Sequence, residues 1–477
     1  MEYLFDKLKE TRDSGIYPYH MPGHKRQACG RLSREICGAD ITEIDGFDNL
    51  HQPRGLLLEL QQKAAALYGT EESFYLVNGS TAGILSAVSA ALPQGGHILM
   101  ARNCHKCAYH AVYLRKLNVS YLVPPLLEGW DLFDSVTPQQ VKVALESKAD
   151  IGAVLLVSPT YEGRISDIRA IAEIVHEKGI PLIVDEAHGA HLGFGEGISE
   201  NSCQAGADLV IHSVHKTLPS LTQTALLHVN GPLIDRSRLK RFLHIYQTSS
   251  PSYLLMASID NALRFVEQDG RAAFREFVRN YGNMIGSLAA CRHLRVLLPE
   301  RGRQDVGKLV ISVKGTGLTG RELYDTLLTR YGLQLEMASG SYVLAMFTVN
   351  DTEQGYERMT RALLELDGEL PVAGNTSLSG IAEPPYGGSL ICENTDSIPL
   401  ARAWDMEKVQ LPLDESVGHY AGEFVNLYPP GVPILVPGER IKEVVCGGIQ
   451  RWVDSGLAVQ GIGVKDGSII ISVLKRG

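Results

Sequence analysis

The chain has 477 residues, a length that allows two or three domains with a sizeable buried core. Its formal net charge of −9 argues against nucleic acid as a partner, and no apolar run approaches the length of a membrane-spanning helix. The first residues lack the basic and apolar regions of a signal peptide, and the eight cysteines are scattered, so we expect a cytoplasmic protein.

Residues 1–55 are rich in loop-forming residues and are predicted to form an N-terminal arm. His20 and His24 lie in this arm, and they either contribute to a site or belong to turns and interfaces. A helix is predicted from Leu56 to Tyr68, closed by Gly69. From there to residue 290, helices alternate with short apolar strands. This alternation is typical of a mainly parallel sheet covered on both faces, so residues 56–290 are predicted to form a large α/β domain.

The first candidate binding element is the turn Asn78-Gly79-Ser80-Thr81-Ala82-Gly83, which follows a strand-like segment. Its glycines permit a tight strand-to-helix turn, and Ser80, Thr81 and free backbone N–H groups at a helix N-terminus suit an anion. The turn is not a Walker A loop, because no Gly-Lys-Ser/Thr follows at the required spacing. It fits one cofactor phosphate better than a nucleotide, although the same residues also serve as an ordinary N-cap.

His105 follows the strand-like segment His97–Met100, at a strand end where an imidazole could stack on a bound ring. A core or surface histidine is the alternative. Cys104 and Cys107 form a single C-x-x-C pair with no second pair of ligands nearby, so no metal site is predicted.

Two later segments carry an acid and a lysine. Asp185 follows the apolar run Pro181–Val184, and Lys216 lies just beyond the next predicted strand, Asp208–Ser213. Open α/β sheets bind ligands at the carboxyl ends of their strands, so both groups should reach one rim. A lysine that forms a Schiff base with an aldehyde and an aspartate that keeps a pyridine nitrogen protonated suit pyridoxal 5'-phosphate (PLP). A structural aspartate and a solvated lysine are the alternative.

The rest of the chain divides by composition. Residues 291–370 are predicted to form a small α/β domain, in which Leu309, Ile311 and Val313 alternate as in a half-buried strand. Residues 371–397 are rich in Gly, Ser, Pro and Asn and are the best linker candidate. Residues 398–477 are predicted to form a C-terminal domain.

Together these segments resemble the Orn/Lys/Arg decarboxylase family, especially its short bacterial members that lack an N-terminal wing. The resemblance implies an aspartate aminotransferase-like α/β fold, the PLP fold type I, with small α/β and C-terminal subdomains. It is carried by motifs spread over nearly the whole chain: His20-Met21-Pro22-Gly23-His24-Lys25, Asp185-Glu186-Ala187-His188-Gly189, Ser213-Val214-His215-Lys216, Ser220-Leu221-Thr222-Gln223, Ser249-Ser250-Pro251-Ser252-Tyr253, Gly315-Thr316-Gly317-Leu318-Thr319-Gly320 and Tyr428-Pro429-Pro430-Gly431-Val432-Pro433.

The resemblance also implies a role for each candidate residue. Lys216 would carry the cofactor, Asp185 would face its ring nitrogen, and His105 would stack on its ring. Glu336 matches an acid that meets the distal cationic group of the substrate, although a solvated carboxylate is the alternative. The other implied cofactor contacts are Ser80, Thr81 and Ser213 at the phosphate, His215 beside it, His188 beside the ring, Ser249 and Ser250 across a subunit interface, and Ala187. His188 is also a candidate catalytic residue.

The implied activity is PLP-dependent decarboxylation of a basic amino acid. Arginine, giving agmatine, is the first candidate, with lysine and ornithine as alternatives and polyamine biosynthesis as the expected role. The resemblance further implies a homodimer or a higher even-numbered homo-oligomer with shared active sites. Two other functions stay open: another fold type I PLP enzyme, such as an aminotransferase or a lyase, and a non-catalytic regulatory relative.

Overall fold

The structure is a computed structural model that describes residues 3–14, 22, 25, 33–370, 396–428 and 431–475. His20, His24 and residues 371–395 of the predicted linker lie outside the described residues. Contacts divide the chain into two compact units, Met1–Leu92 with Ile168–Arg275 and Pro93–Asp167 with Glu276–Gly477. The five segments expected from the sequence stay a prediction. A membrane span would need a longer and more apolar helix than any found in the described ranges.

The helices of the described residues are α1 (Leu4–Asp13), α2 (Arg34–Ala39), α3 (Leu56–Tyr68), α4 (Gly79–Ala91), α5 (Lys106–Arg115), α6 (Pro138–Ser147), α7 (Ile168–His176), α8 (Val214–Thr217), α9 (Arg236–Tyr246), α10 (Tyr253–Gln268), α11 (Gly270–Leu288), α12 (Gly320–Tyr331), α13 (Glu353–Glu369), α14 (Leu400–Ala403) and α15 (Glu443–Asp454). The strands are β1 (Glu72–Leu76), β2 (His97–Ala101), β3 (Asn118–Leu122), β4 (Ile151–Val157), β5 (Leu182–Asp185), β6 (Leu209–His212), β7 (Ala225–Val229), β8 (Arg295–Val296), β9 (Lys308–Ser312), β10 (Met337–Ala338), β11 (Tyr342–Met346), β12 (Lys408–Pro412), β13 (Val425–Leu427), β14 (Pro433–Leu435), β15 (Val459–Gln460), β16 (Ile462–Lys465) and β17 (Ser468–Leu474).

In the described residues the mixed but mainly parallel α/β fold has four strands in the first unit and three in the second. In the first unit the order is β1-β7-β6-β5. Strands β5 and β6 are parallel, while β7 is antiparallel to both β6 and β1. In the second unit the order is β4-β2-β3, and these strands are parallel. The β5 and β6 residues are buried throughout, as expected for parallel strands covered on both faces.

Helix α4 lies close against the sheet of the first unit because of Gly83. A Cβ atom at this position would lie 2.8 Å from Leu76 Cδ1 and 2.9 Å from Ile211 Cγ2. Those distances are shorter than real Cβ contacts, so a larger residue would force the Leu76 and Ile211 side chains, or the helix itself, to shift. Gly83 therefore allows close packing between the sheet and the helix that begins at the candidate phosphate turn.

The second unit also holds the smaller sheets. One is antiparallel with the order β10-β11-β9-β8, and α12 begins beside it with a capping box between Thr319 and Glu322. The C-terminal part has two three-stranded sheets, β12-β17-β16 and β14-β13-β15. Their shared core includes Ile449 and Trp452 of α15, which are both buried.

The expectation that β9 is half-buried is wrong, because all five of its residues are buried. Val310, which alternation assigned to the solvent face, is 0% exposed and packs in a cluster with Leu132 and Leu344. Leu127 and Trp130 pack against the same cluster. A segment distant in sequence thus covers the second face, and alternation within one strand gives no sign of such a cover.

Candidate active site

Three of the predicted residues meet at one edge of the first unit's sheet. Asp185 is the last residue of β5, Ser213 directly follows β6, and Lys216 lies one turn further on in α8. Strands β5 and β6 are parallel, with Asp185 opposite Ile211, so both strands end at the same edge. The Nζ atom of Lys216 lies 3.1 Å from Nε2 of His188. An acid, an amine and an imidazole are therefore gathered within a few residues of two strand ends.

Asp185 is buried, with 7% of its surface exposed. It accepts a hydrogen bond of 3.2 Å from the N–H of Ala187. Burial raises the pKa of Asp185 above its usual value, while the Lys216 ammonium and the Ala187 N–H act in the opposite direction. A buried carboxylate of this kind gains most from a cationic N–H partner. A protonated pyridine nitrogen is such a partner, so Asp185 fits the role expected from the sequence.

The turn before α4 connects directly to the lysine segment. Gly79, with φ of +72°, donates its N–H to the carbonyl of Gln223 over 3.0 Å. The carbonyl of the next residue, Thr224, accepts from a ring nitrogen of His215 over 2.9 Å. Ser80 is half-buried and Thr81 exposed in the first turn of α4, a 13-residue helix. The turn before α4 and the segment that contains His215 therefore contact adjacent residues of one loop, Gln223 and Thr224.

Ser213 fits the phosphate role expected from the sequence. Its side chain is 0% exposed, and its Oγ has no hydrogen-bond partner among the described residues. Buried hydroxyl groups are normally hydrogen-bonded, so the Ser213 hydroxyl is available to a ligand at this edge. A phosphate oxygen would satisfy it. Burial also lowers the pKa of the neighbouring His215, with the Thr224 carbonyl opposing the shift and Lys216 adding to it.

The segment with Ser249 and Ser250 lies beside the same turn. The N–H of Thr248 donates to Oδ1 of Asn78 over 3.0 Å, which ties this loop to the residue before Gly79. Both serines are exposed. Neither serine therefore belongs to the buried edge that holds Asp185 and Ser213.

His105 and Glu336 belong to the second unit. His105 is the N-cap of α5, and its Nδ1 accepts from the N–H of Cys107 over 3.3 Å. The cap fixes the plane of the imidazole and, in the neutral ring, puts the proton on Nε2. Gly431 packs beside this ring: a Cβ added there would lie 3.5 Å from Cδ2 and Nε2 of His105.

A buried arginine ties the end of β2 to the C-terminal segment that contacts His105. Arg102 is 1% exposed and donates to the carbonyls of Pro433 and Ile434 over 2.6 and 3.1 Å. It also pairs with the Glu439 carboxylate at 3.0 Å. Such a pair holds its partners in one geometry, because breaking it would leave a charged group unpaired away from water. Arg102 thus connects the Tyr428–Pro433 motif to the strand that precedes His105.

Glu336 is exposed, just before β10, and its carboxylate accepts a short hydrogen bond from the Tyr161 hydroxyl. Burial raises the pKa of Tyr161, and the Glu336 charge adds to the shift. Tyr161 was not among the residues predicted from the sequence. It lies shortly after β4, so the strand-end rule that found Asp185 could have found it.

The strand order and the groups at the strand ends fit an α/β fold of the PLP fold type I class. The family model for the Orn/Lys/Arg decarboxylase major domain matches residues 3–306, and the model for the C-terminal domain matches residues 400–450. The chain belongs to the Orn/Lys/Arg decarboxylase family. It is 31% identical to an arginine decarboxylase of Bacillus anthracis over 470 residues, covering 96% of this chain and 94% of that one.

Solved structures agree on the fold. The lysine decarboxylase of Francisella novicida superposes with a TM-score of 0.84 at 17% identity, covering 99% of this chain and 81% of that one. An alanine–glyoxylate aminotransferase of Nostoc sp. matches with a TM-score of 0.54 at 15% identity, covering 67% of this chain and 88% of that one. The predicted aspartate aminotransferase-like fold and the resemblance to the decarboxylase family are therefore confirmed, and the protein is a decarboxylase.

Proposed function

We propose that the protein decarboxylates a basic amino acid with PLP as cofactor, and that arginine, giving agmatine and CO2, is the preferred substrate. The observation that carries the proposal is the cluster of Asp185, Ser213 and Lys216 at one strand edge in a chain of this family. The Bacillus anthracis relative is named for arginine and the Francisella novicida structure for lysine. Lysine to cadaverine and ornithine to putrescine are the second candidates.

In this proposal the first unit supplies most of the cofactor contacts. Lys216 would bond covalently to the cofactor aldehyde, and Asp185 would hold the proton on the ring nitrogen. The orphan hydroxyl of Ser213 supports the placement of the phosphate at this edge. When bound, PLP supplies the electron sink for the pair released as the Cα–carboxylate bond breaks. The remaining proposed contacts are Ser80, Thr81 and His215 at the phosphate, Ala187, His188 and His105 at the ring, and Ser249 and Ser250 at the phosphate in the partner subunit.

Decarboxylation takes up one proton, because the carboxylate that leaves Cα as CO2 is replaced by hydrogen. The pair formed by Lys216 and His188 supports a proton donor at the cofactor, since their nitrogens are 3.1 Å apart. A proton can pass between two nitrogens at this distance. We infer that the pair delivers the proton to Cα.

Glu336 is proposed to bind the distal cation of the substrate, with Tyr161 holding the carboxylate in place. The Tyr161 hydroxyl occupies one acceptor site of the carboxylate, which leaves the other acceptor positions for the substrate. A planar guanidinium matches a fixed carboxylate in two parallel hydrogen bonds, whereas an ammonium group forms a point contact. This geometry favours arginine over lysine.

Replacing Glu336 with glutamine removes the charge and keeps the shape. We expect KM for arginine to rise about tenfold or more, with kcat within about threefold, because the contact is made equally in the ground and transition states. Steady-state kinetics on purified protein measure both constants. Glu357→Gln, at an exposed carboxylate of α13, is the matched control and should leave KM unchanged. An unchanged KM in Glu336→Gln would remove Glu336 from the substrate site.

We also propose that two copies form a homodimer, alone or within a higher even-numbered assembly, and share their active sites. The exposure of Ser249 and Ser250 supports this arrangement. A cytoplasmic location is supported by the eight cysteines of the sequence, which are scattered and show no disulfide framework. The amine product would then enter polyamine biosynthesis.

The function is tested by incubating purified protein and PLP with arginine, lysine or ornithine in separate reactions. We expect agmatine and CO2 from arginine at the highest kcat/KM. Cadaverine or putrescine at a higher kcat/KM would overturn the choice of arginine only. A keto acid with pyridoxamine phosphate would indicate an aminotransferase. No product from any amino acid, with the cofactor bound, would favour the other lyases or a regulatory relative.

A further inference from the structure

A row of buried polar side chains crosses the first unit's sheet behind the candidate site. The Glu186 carboxylate accepts from Nε2 of His212 over 2.7 Å, and Nδ1 of His212 lies 3.0 Å from Nε2 of His228. Nδ1 of His228 lies 2.6 Å from Oγ of Ser73. The exposed fractions of these four side chains are 1%, 0%, 0% and 3% from Glu186 to Ser73. None of them has a role in the chemistry proposed above.

The row joins four neighbouring strands on one face. Glu186 directly follows β5, His212 ends β6, His228 lies in β7, and Ser73 lies in β1. Ser73 and His228 are direct partners in the sheet register. Tyr68 closes the row from the side of α3, with ring centroids 4.8 Å from His212 and 4.5 Å from His228. Its hydroxyl donates to the carbonyl of Ala190 over 2.7 Å.

The order of protons along the row follows from its ends. A carboxylate only accepts, so Nε2 of His212 donates to Glu186. Burial lowers the pKa of His212 to about 3 and that of His228 well below its usual range, so both rings are neutral near pH 7. Nδ1 of His212 then accepts from Nε2 of His228, and Nδ1 of His228 accepts from the hydroxyl of Ser73. Both imidazoles therefore carry their proton on Nε2.

Three of the strands in the row lead into the candidate site. Strand β5 ends in Asp185, β6 continues into Ser213 and Lys216, and β1 leads to the turn that contains Gly79. Apolar side chains would bury these positions at lower cost, since each polar group must find its partner to avoid a desolvation penalty. A fully paired row, by contrast, permits one alignment of the strands and disfavours others.

We propose that Glu186, His212, His228 and Ser73 form a positioning row that aligns the strand ends carrying the cofactor contacts. These four residues act through Asp185, Lys216 and the phosphate turn, and they touch neither substrate nor cofactor. The inference rests on the proposed PLP site. It predicts that loss of the row weakens cofactor binding more strongly than it weakens substrate binding.

The test compares cofactor binding in apoprotein variants. His212→Leu removes both bonds of the central ring, whereas His212→Gln keeps one donor and one acceptor. Leu227→Ala is the matched control, since Leu227 is fully buried in β7 on the face opposite His228. The measurements are the Kd for PLP from the visible absorbance, kcat and KM for the amino acid, and the unfolding temperature.

We expect His212→Leu to raise the Kd for PLP about tenfold or more and to lower kcat, with KM within about twofold. His212→Gln should bind PLP within about threefold of wild type, and Leu227→Ala should lower the unfolding temperature without changing that Kd. A Kd for PLP in His212→Leu equal to that of wild type would contradict the proposed positioning row. An equal rise of this Kd in Leu227→Ala would contradict it as well. If wild-type protein itself binds no PLP, the proposed function is what fails.

A second measurement covers the case in which His212→Leu does not fold. Nitrogen-15 NMR of histidine-labelled wild type, assigned with His212→Gln and His228→Gln, reports the proton on each ring. Two neutral imidazoles protonated at Nε2 at pH 7 support the row. A charged ring, or a proton on Nδ1 at either position, contradicts it.

Discussion

Replacing Lys216 with alanine will abolish turnover of the amino-acid substrate. The expected loss in kcat is about 10⁴-fold or more, because the variant removes both the covalent attachment point and one partner of the proton-donating pair with His188. Cofactor released from the variant by gel filtration will also exceed that from wild type, since only non-covalent contacts remain. Amine production by coupled assay or chromatography measures the effect.

Two companion variants make the Lys216 result specific. Lys216→Arg keeps a cation at the strand edge but forms no bond to an aldehyde, so it should be as inactive as the alanine variant. Lys240→Ala, at an exposed lysine of α9 in the same unit, should retain wild-type turnover. Substantial activity in Lys216→Ala, or in Lys216→Arg, would mean that another amine carries the cofactor.

Replacing Asp185 with asparagine will lower kcat about 100-fold or more while the protein stays folded. Asparagine has nearly the same shape, but it has no negative charge to hold a proton on the ring nitrogen. Because burial raises the pKa of this carboxyl in the free protein, the apoprotein gains little stability from its charge, and the substitution should not lower the unfolding temperature. Kinetics and thermal unfolding, measured side by side, separate the two effects.

The matched control for Asp185 is Asp235→Asn, at an exposed N-cap in the same unit. It should leave kcat unchanged. If Asp185→Asn kept kcat within about threefold of wild type, no charge at this position would be needed for catalysis, and the ring nitrogen would have to lie elsewhere.

The positions of Asp185 and Lys216 could be predicted from the sequence because one local rule sufficed. An apolar run marks a buried strand, and parallel strands deliver the residues after them to one edge. Helix α3 was predicted with its observed bounds for a similar reason, since Gly69 ends it in the left-handed conformation with φ of +70°. Each of these features depends on residues close together in the chain.

Features that depend on distant residues could not be predicted in this way. The cover over β9 comes from Leu127 and Trp130, and the partner of Tyr161 is Glu336, 175 positions away. The row from Glu186 to Ser73 exists only because β7 lies between β6 and β1 and runs antiparallel to both. His212 and His228, read singly, look like ordinary buried histidines. Their pairing appears only once the strand order and register are known.

The central claim, that Lys216 carries the cofactor, has a direct chemical test. The protein is loaded with PLP, reduced with borohydride, digested and analysed by mass spectrometry. We expect the pyridoxyl modification on the peptide that contains Lys216, in about one copy per chain, with loss of the visible chromophore. A modification on another lysine, or a loaded protein with no reducible adduct, would contradict the assignment of this site.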